Sequence, residues 1–557
     1  MSSSSKLCNW IALASILFVL GGTSQAGAEV RYVDANASPG GNGQSWDTAF
    51  MYLQDALAAA TAGDEVHVAA GTYKPDQDEG GHVTSGAAEE RFELVAGVAM
   101  LGGYRGCPGG NCGSGNPDER APKTYLTILS GDLNGDDSFA GFQNYAENSH
   151  HVVDGSNGSQ TSILDGFVIQ SGNSTTAGTV SERYGGGLRL QGGGAVVRNC
   201  LIAHNMADDG AGVSQKDVSS LTMVDCIVTQ NYATDNGGGI YGRDGDTHLT
   251  NCLIVGNTAA SVPLSTGGGL IHLDGELDMV NCTVVQNIAN HHYGADGAYL
   301  QRSAVSIANC IFWDNDGSGE GEQIFVDACP SFTLNHSCVQ GLTGSLGGTG
   351  NIGAAPDFIT DPDPGPDGTW NGVDDDLGDL HLLSGSPCVD SANNSAIPAG
   401  ISTDLDGIAR VIDGDHDGTP TVDMGPYEFH SDCNDNDIPD SQDLANCDGS
   451  PWCSDCNDND VLDVCDITVE TSEDCNTNGI PDECESDCDG DGLIDDCDPD
   501  IDGDGVLNED DVCPRTPFCE VTIDGRPRLD MNDDCEANGL DIQLIVEQLL
   551  SGCSECG

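Results

Sequence analysis

From residue 185 to 315, apolar and polar positions alternate in short runs, each closed by a glycine cluster or an asparagine. The recurring element is Asn/Asp-Cys-x-apolar-x-x-Asn. It stands at Asn199–Asn205, Asp225–Asn231, Asn251–Asn257, Asn281–Asn287 and Asn309–Asn315, with the cysteines 26, 26, 30 and 28 residues apart. Glycine clusters at Gly185–Gly187, Gly237–Gly239, Gly267–Gly269 and Gly294–Gly297 precede four copies, and in each the last glycine lies 12 residues before the Asn that precedes Cys. Leu249, Met279 and Ile307 hold one equivalent apolar place; Ile202, Val228, Ile254, Val284 and Phe312 hold another. Short runs rich in β-branched residues and bounded by Gly and Asn are strands. Three strands in each repeat of 26–30 residues predict one coil of a parallel β-helix. Coils stack at about 4.8 Å, because none can bury its apolar face alone.

Alternation turns Ile254 and Val284 inward and Thr229 outward. The five repeat cysteines join the inward column as small apolar side chains, in preference to disulfides or metal ligands, since they lack the paired spacing of a zinc site. The Asn before each Cys suits a left-handed turn, and stacked asparagines can hydrogen-bond as a ladder.

The flanks differ from the repeat. Arg31–Asp34 and Glu65–Ala69 read as strands, Ala49–Ala60 as a helix with Leu53, Ala56 and Leu57 on one face, and Gly71–Tyr73 as a turn. Residues 29–75 thus form an N-terminal cap, which a solenoid needs to block end-to-end pairing. The β-helix proper runs over 76–330, its early coils irregular. Residues 331–430 hold decaying coils and an end module, with 361–378 as loop. Residues 1–28 read as a secretory signal: Lys6, an apolar run from Trp10 to Leu20, and Ala26-Gly27-Ala28 as cleavage site. No other segment is apolar enough to span a membrane.

Charge changes the picture after residue 430. The chain carries a formal net charge of -74, and 431–557 contain 38 acidic residues, 3 arginines and no lysine. Nucleic acid is excluded as a partner, because phosphate binding needs a basic face. The acidic residues are in register. Six loops place oxygen-bearing side chains at positions 1, 3, 5, 9 and 12, the spacing that wraps a chain around one Ca²⁺. They are Asp432, Asn434, Asn436, Asp440 and Asp443; Asp455, Asn457, Asn459, Asp463 and Asp466; and Asp474, Asn476, Asn478, Asp482 and Glu485. The other three are Asp487, Asp489, Asp491, Asp495 and Asp498; Asp500, Asp502, Asp504, Asn508 and Asp511; and Asp530, Asn532, Asp534, Asn538 and Asp541. Calcium is therefore the expected cofactor. Fourteen cysteines interleave with these loops and can pair in an oxidising compartment, with connectivity left open.

At these residues the chain resembles known families. Residues 31–330, opening on Tyr32-Val33-Asp34 with Trp46 and Gly71-Thr72-Tyr73, resemble bacterial secreted right-handed parallel β-helix proteins with polymorphic outer-membrane-protein repeats. Ser386-Pro387-Cys388-Val389-Asp390 with Asp423-Met424-Gly425-Pro426-Tyr427-Glu428 is similar to a choice-of-anchor end module. Residues 431–520 resemble thrombospondin type 3 calcium repeats. Asn538-Gly539-Leu540-Asp541, within 521–557 and leading into an apolar helix, is similar to half of a dockerin. The resemblances imply an all-β solenoid with a calcium-loop tail and a short C-terminal helix, exported to the medium or cell surface.

Loop length varies between one repeat's final Asn and the next glycines, which marks that side of the solenoid as a binding face. Alternation there points Arg189, Tyr241 and Tyr299 outward, with Arg243 two residues on and His291, His292 and Asp296 in a neighbouring loop. Tyr and Arg suit sugar faces and carboxylates. The sequence thus reads as a structural, adhesive or glycan-binding protein whose partner is an extracellular polysaccharide or a surface protein. The alternatives are a polysaccharide lyase or glycoside hydrolase, and a dockerin-type component of a surface assembly. No base-plus-carboxylate constellation stands out for catalysis.

Overall fold

A computed structural model describes residues 28–509, except 108–111, 114, 261–265, 290–294, 316–321, 343, 345, 373, 415–417, 431–432, 434–439, 446, 448–452, 458–460, 469–470, 488–489 and 502–505. The chain divides into two compact units: residues 1–353 with 361–378, and residues 354–360 with 379–557.

The first unit is a parallel β-solenoid. Each coil of the middle region lays down strands on successive faces. In one coil these are Leu188–Gln191, Gly194–Arg198, Leu201–Ala203 and Met206–Asp209. Each pairs in parallel with its equivalent one coil on: Leu188 with Val213, Gly194 with Ser220, Leu201 with Ile227 and Met206 with Tyr232. The expected three strands per coil are therefore four here, the last forming a small four-stranded sheet of its own. In later coils the first two faces fuse into single bent strands, Ile240–Thr250, Leu270–Val280 and Ala295–Ala308. The bends fall at Asp244, Asp274 and Arg302, all left-handed, with φ of 55°, 56° and 53°.

The apolar columns lie where alternation put them. Ile202, Val228, Ile254, Val284 and Phe312 are fully buried in one continuous core, beside Cys200, Cys226, Cys252, Cys282 and Cys310. Those cysteines are free thiols, so the column packs as small side chains do. Asn199, Asp225, Asn251, Asn281 and Asn309 all take left-handed φ between 49° and 57°. The longest ladder, however, belongs to the other end of the motif. The Nδ2 of Asn205, Asn231, Asn257 and Asn287 donates to the Oδ1 of the next asparagine at 3.0, 3.0, 3.0 and 2.9 Å. The backbone N–H groups of the same residues donate to the same oxygens. Each Nδ2 also reaches carbonyls of its own coil and the one before, as Asn257 does to Val255 and Val228. All five ladder asparagines, ending at Asn315, are buried.

The cap region follows its sequence with one exception. The helix is Leu53–Ala59, with Leu53, Ala56 and Leu57 buried. Val30–Val33 pairs with Glu65–Ala69, so the first strand already belongs to the stack. Gly71–Tyr73, expected as a turn, is a strand paired with Thr127–Leu129. The stack also continues past residue 330, through Ser331–Asn335 and Cys338–Val339.

Thr229 corrects the expected surface. It points away from the core, yet only 1% of it is exposed. The 361–378 segment folds back over this side: Gln230 donates to Asp375 at 3.0 Å, and a Cβ on Gly256 would lie 2.7 Å from the buried Trp370 indole. The Thr229 hydroxyl oxygen is buried with no hydrogen-bond partner.

The second unit opens on an antiparallel pair, Phe358–Thr360 with Asp379–Leu382. Its acidic motif residues are structural. Asp404 accepts backbone N–H groups from Asp406, Ile408 and Glu428. Asp423 accepts from Asp390 and Phe429, and buried Arg410 pairs with Glu428 at 3.2 Å. Disulfides Cys433–Cys465, Cys447–Cys453, Cys456–Cys484 and Cys475–Cys497 close the tail; Cys107–Cys112 closes a loop in the first unit.

Two substitutions test this packing by thermal or denaturant unfolding. Asn257→Ala strands several buried donors and acceptors and is expected to cost about 3 kcal/mol or more. Thr229→Val removes only an unpaired buried hydroxyl and is expected to leave stability unchanged or raise it by about 1 kcal/mol.

Candidate functional site

In the first sheet, strand register fixes two outward ladders. One runs Asp154, Arg189, Ser214, Tyr241, Ile271, Tyr299, Phe325. Two residues further along each strand, the other includes Gln191 and Lys216 and Arg243 opposite Leu273. Much of the first ladder is already engaged. Arg189 binds the buried Asp154 at 2.9 Å and donates to Gln191, while Arg91 pairs with the same Asp154 oxygen at 3.0 Å. Tyr241 faces outward but is only 6% exposed, with the Tyr184 ring 5.7 Å away. Tyr299 is partly exposed and stacks on Phe325 at 5.0 Å. Asp296 is 2% exposed and accepts the Ala289 N–H at 2.7 Å, which gives it a structural task. His291 and His292 lie outside the described residues.

Lys216 and Arg243 are two further cations on this face. The Lys216 ammonium sits 3.5 Å from the Tyr184 ring centroid, and burial holds its pKa below the usual lysine range. Arg243 is half exposed beside Asp244 at 3.3 Å. Lys216 and Tyr184 escaped the sequence reading. Lys216 follows Gly212 by four residues as Arg243 follows Gly239, but Gly212 ends a Gly-Ala-Gly run and not a three-glycine cluster.

A carboxylate cluster was also missed. Asp132, Asp136, Asp137 and Glu147 bring ligand oxygens within 4.8 Å of one another. Asp132 turns the loop by accepting from Gly135, Asp136 and Asp137, and Asn148, wholly buried, donates to Asp137 at 2.8 Å. Burial pushes Asp137 up to about 6, against the Asn148 bond, and raises Glu147 as well. The signal in the sequence was Asp132-Leu-Asn134-Gly-Asp136-Asp137, an alternation of oxygen side chains like that of the tail.

The tail loops have a common internal order. The backbone N–H at position 9 donates to the carbonyl preceding position 1: Asp463 to Ser454, Asp482 to Glu473, Asp495 to Ser486 and Asn508 to Pro499, each at 2.8 Å. The position-9 side chain accepts the N–H of position 2: Asp440 from Cys433, Asp463 from Cys456, Asp482 from Cys475 and Asn508 from Ile501, at 2.9–3.0 Å. These bonds curl the loop, and positions 3, 5 and 12 then meet. Asn476 and Asn478 both donate to Glu485, at 3.0 and 2.8 Å, and Asn457 donates to Asp466 at 3.3 Å. Position 1 is held by backbone N–H groups, Asp474 from Gly479 at 2.9 Å and Asp487 from Gly492 at 3.0 Å. Asp443, Asp455, Asp491, Asp498 and Asp500 also lie within the described residues. Asp432, Asn434, Asn436, Asn459, Asp489, Asp502, Asp504 and Asp511 lie outside them, as does the whole Asp530–Asp541 loop with Asn532, Asp534 and Asn538.

Residues 143–284 match the family model for a right handed beta helix region. Similar solved structures include the pectate lyase Pel9A, at 12% identity and TM-score 0.38, over 73% of this chain and 97% of that one. Others are a pectin methylesterase from Aspergillus niger (15%, TM-score 0.27, 60% and 88% covered) and a rhamnogalacturonan lyase (13%, TM-score 0.23, 62% and 96% covered). At these values the likenesses carry no argument about activity. No curated protein matches the sequence. Fold and matched region together define a right-handed parallel β-helix protein with a disulfide-bonded tail. Among the described residues, no helix is long and apolar enough to cross a membrane.

Asp137 offers a pH test. Its folded-state pKa lies above the unfolded value of 3.8, so its burial weakens the fold as pH rises from about 4 to 6. In chelator, Asp137→Asn is expected to raise the melting temperature at pH 7 and to leave it unchanged at pH 3.5.

Proposed function

We propose that this is an exported calcium-binding β-helix protein with a structural or adhesive role. Its first-sheet face would hold an extracellular polysaccharide. The observation that carries the reading is the convergence of Asn476, Asn478 and Glu485 inside a loop whose first position, Asp474, is fixed by backbone N–H groups. These side chains meet through amide N–H groups donated to a carboxylate, and turning the amides would offer their oxygens to a hard cation of six to eight oxygen ligands. Asp474, Asn476, Asn478 and Glu485 would hold one ion, and the equivalent sets in the sister loops would hold others. Bound calcium would neutralise a segment that otherwise repels itself and would add stability by mass action.

On the solenoid, Lys216 and Arg243 stand beside Tyr184 and Tyr241 in a strongly acidic chain. Two cations beside aromatic rings suit a carboxylated sugar chain. A polysaccharide lyase or hydrolase is the second reading. It is favoured by the cluster of Asp132, Asp136, Asp137 and Glu147, where raised carboxyl pKa values meet in one place. Docking through the C-terminal segment concerns residues outside those described.

Titration calorimetry of the full chain is expected to give at least three calcium sites with affinities on the order of 10⁻⁴–10⁻³ M. Small-angle scattering is expected to show expansion in chelator. Fewer than three sites, or a radius of gyration indifferent to chelation, contradicts the reading. For the face, Lys216→Ala with Arg243→Ala is expected to weaken binding to uronate polymers tenfold or more at an unchanged melting temperature. Release of unsaturated product from those polymers would establish the lyase instead.

A further inference from the structure

We infer that the N-terminal coil carries a second kind of cation site, for a divalent transition ion such as zinc, built from Asp55, Asp78 and His82. One carboxylate oxygen from each aspartate and one ring nitrogen of His82 lie within 4.8 Å of one another. Asp55 comes from the Leu53–Ala59 helix, and the other two from the loop after Gly71–Tyr73. The loop is pinned onto the helix by its own backbone: Glu79 and Gly80 donate their N–H groups to Asp55 at 3.0 and 2.9 Å. The Glu79 side chain is turned aside to accept the Gly40 N–H at 2.7 Å. Asp78 accepts the His82 N–H, which fixes the turn between those two ligands. The His82 Nε2 then stands 3.8 Å from Asp55 Oδ1, too far for a hydrogen bond.

Two observations point to a ligand. The first is Gly80. A Cβ there would lie 2.1 Å from His82 Nε2 and 3.0 Å from Asp55 Oδ1, so only glycine lets the imidazole pack against this backbone beside Asp55. The second is a cleft of about 390 Å³, lined by Phe50, Asp55, Ala58, Glu79 and His82 among others, which gives an ion access and an open coordination position. One imidazole and two carboxylates form a nitrogen–oxygen donor set that suits zinc, whereas calcium takes oxygen alone. The site is thus chemically distinct from the tail loops and independent of how they behave.

The experiment uses the full chain in saturating calcium, which fills oxygen-only loops, and titrates Zn²⁺ by calorimetry and Co²⁺ by visible absorption. His82 is half exposed, so His82→Ala removes a donor at little cost to the fold. Gly80→Ala keeps all three donor residues but drives the imidazole away from Asp55. Both variants are expected to bind one zinc fewer than the parent and to lose a nitrogen-ligated cobalt spectrum, with the melting temperature in chelator unchanged. If either variant keeps the parent's full zinc stoichiometry and cobalt spectrum, the site is refuted.

Discussion

In the coils from Asn205 to Asn315 one turn is satisfied by groups from the neighbouring coils, through a buried asparagine ladder. Asn205, Asn231, Asn257, Asn287 and Asn315 occupy one corner at 0–1% exposure. There, backbone carbonyls of two coils converge on one side-chain amide. A buried polar column of this kind is favourable only when every member is paired. The ladder therefore fixes the register of each coil on the next. Sheet register in turn decides which side chains face outward, so the placement of Lys216 beside Arg243 and of Tyr299 on Phe325 follows from it.

Much of this was legible in the sequence because the repeat is strict where the chain is buried. The cysteine column, the inward Ile254 and Val284, and the left-handed residue before each cysteine all follow from a period that a slipped coil could not keep. What escaped lay where the repeat slackens. The fourth strand of each coil is short and follows the ladder asparagine, in a stretch whose length varies. Gly71–Tyr73 has turn composition, yet a neighbouring strand recruits it. Thr229 has outward parity, but a non-repeating segment from 361–378 covers that side. Alternation assigns a side to a residue; it does not say whether that side meets water.

The candidate sites divide in the same way. The tail loops were readable because loop closure imposes one spacing, and position 9 in four loops makes the same bond to position 2. The first-sheet face was harder. Arg189 and Asp296 carry the right chemistry at the right parity, yet each is committed to a structural partner. Lys216, Tyr184 and the Asp132–Glu147 cluster depend on register between irregular coils, which a single sequence conveys only weakly.

On the proposed reading, cations and not packing alone give the tail its order. The described part of the tail buries few apolar side chains, chiefly Leu462 and Ile494 beside its disulfides. Hydrogen exchange of the full chain with and without calcium tests the claim most directly. The amides of Asp463, Asp482, Asp495 and Asn508 are expected to be protected with calcium and to exchange rapidly in chelator. The amides of Asn231 and Asn257 in the solenoid are expected to stay protected in both. Equal protection of the tail amides with and without calcium would contradict it.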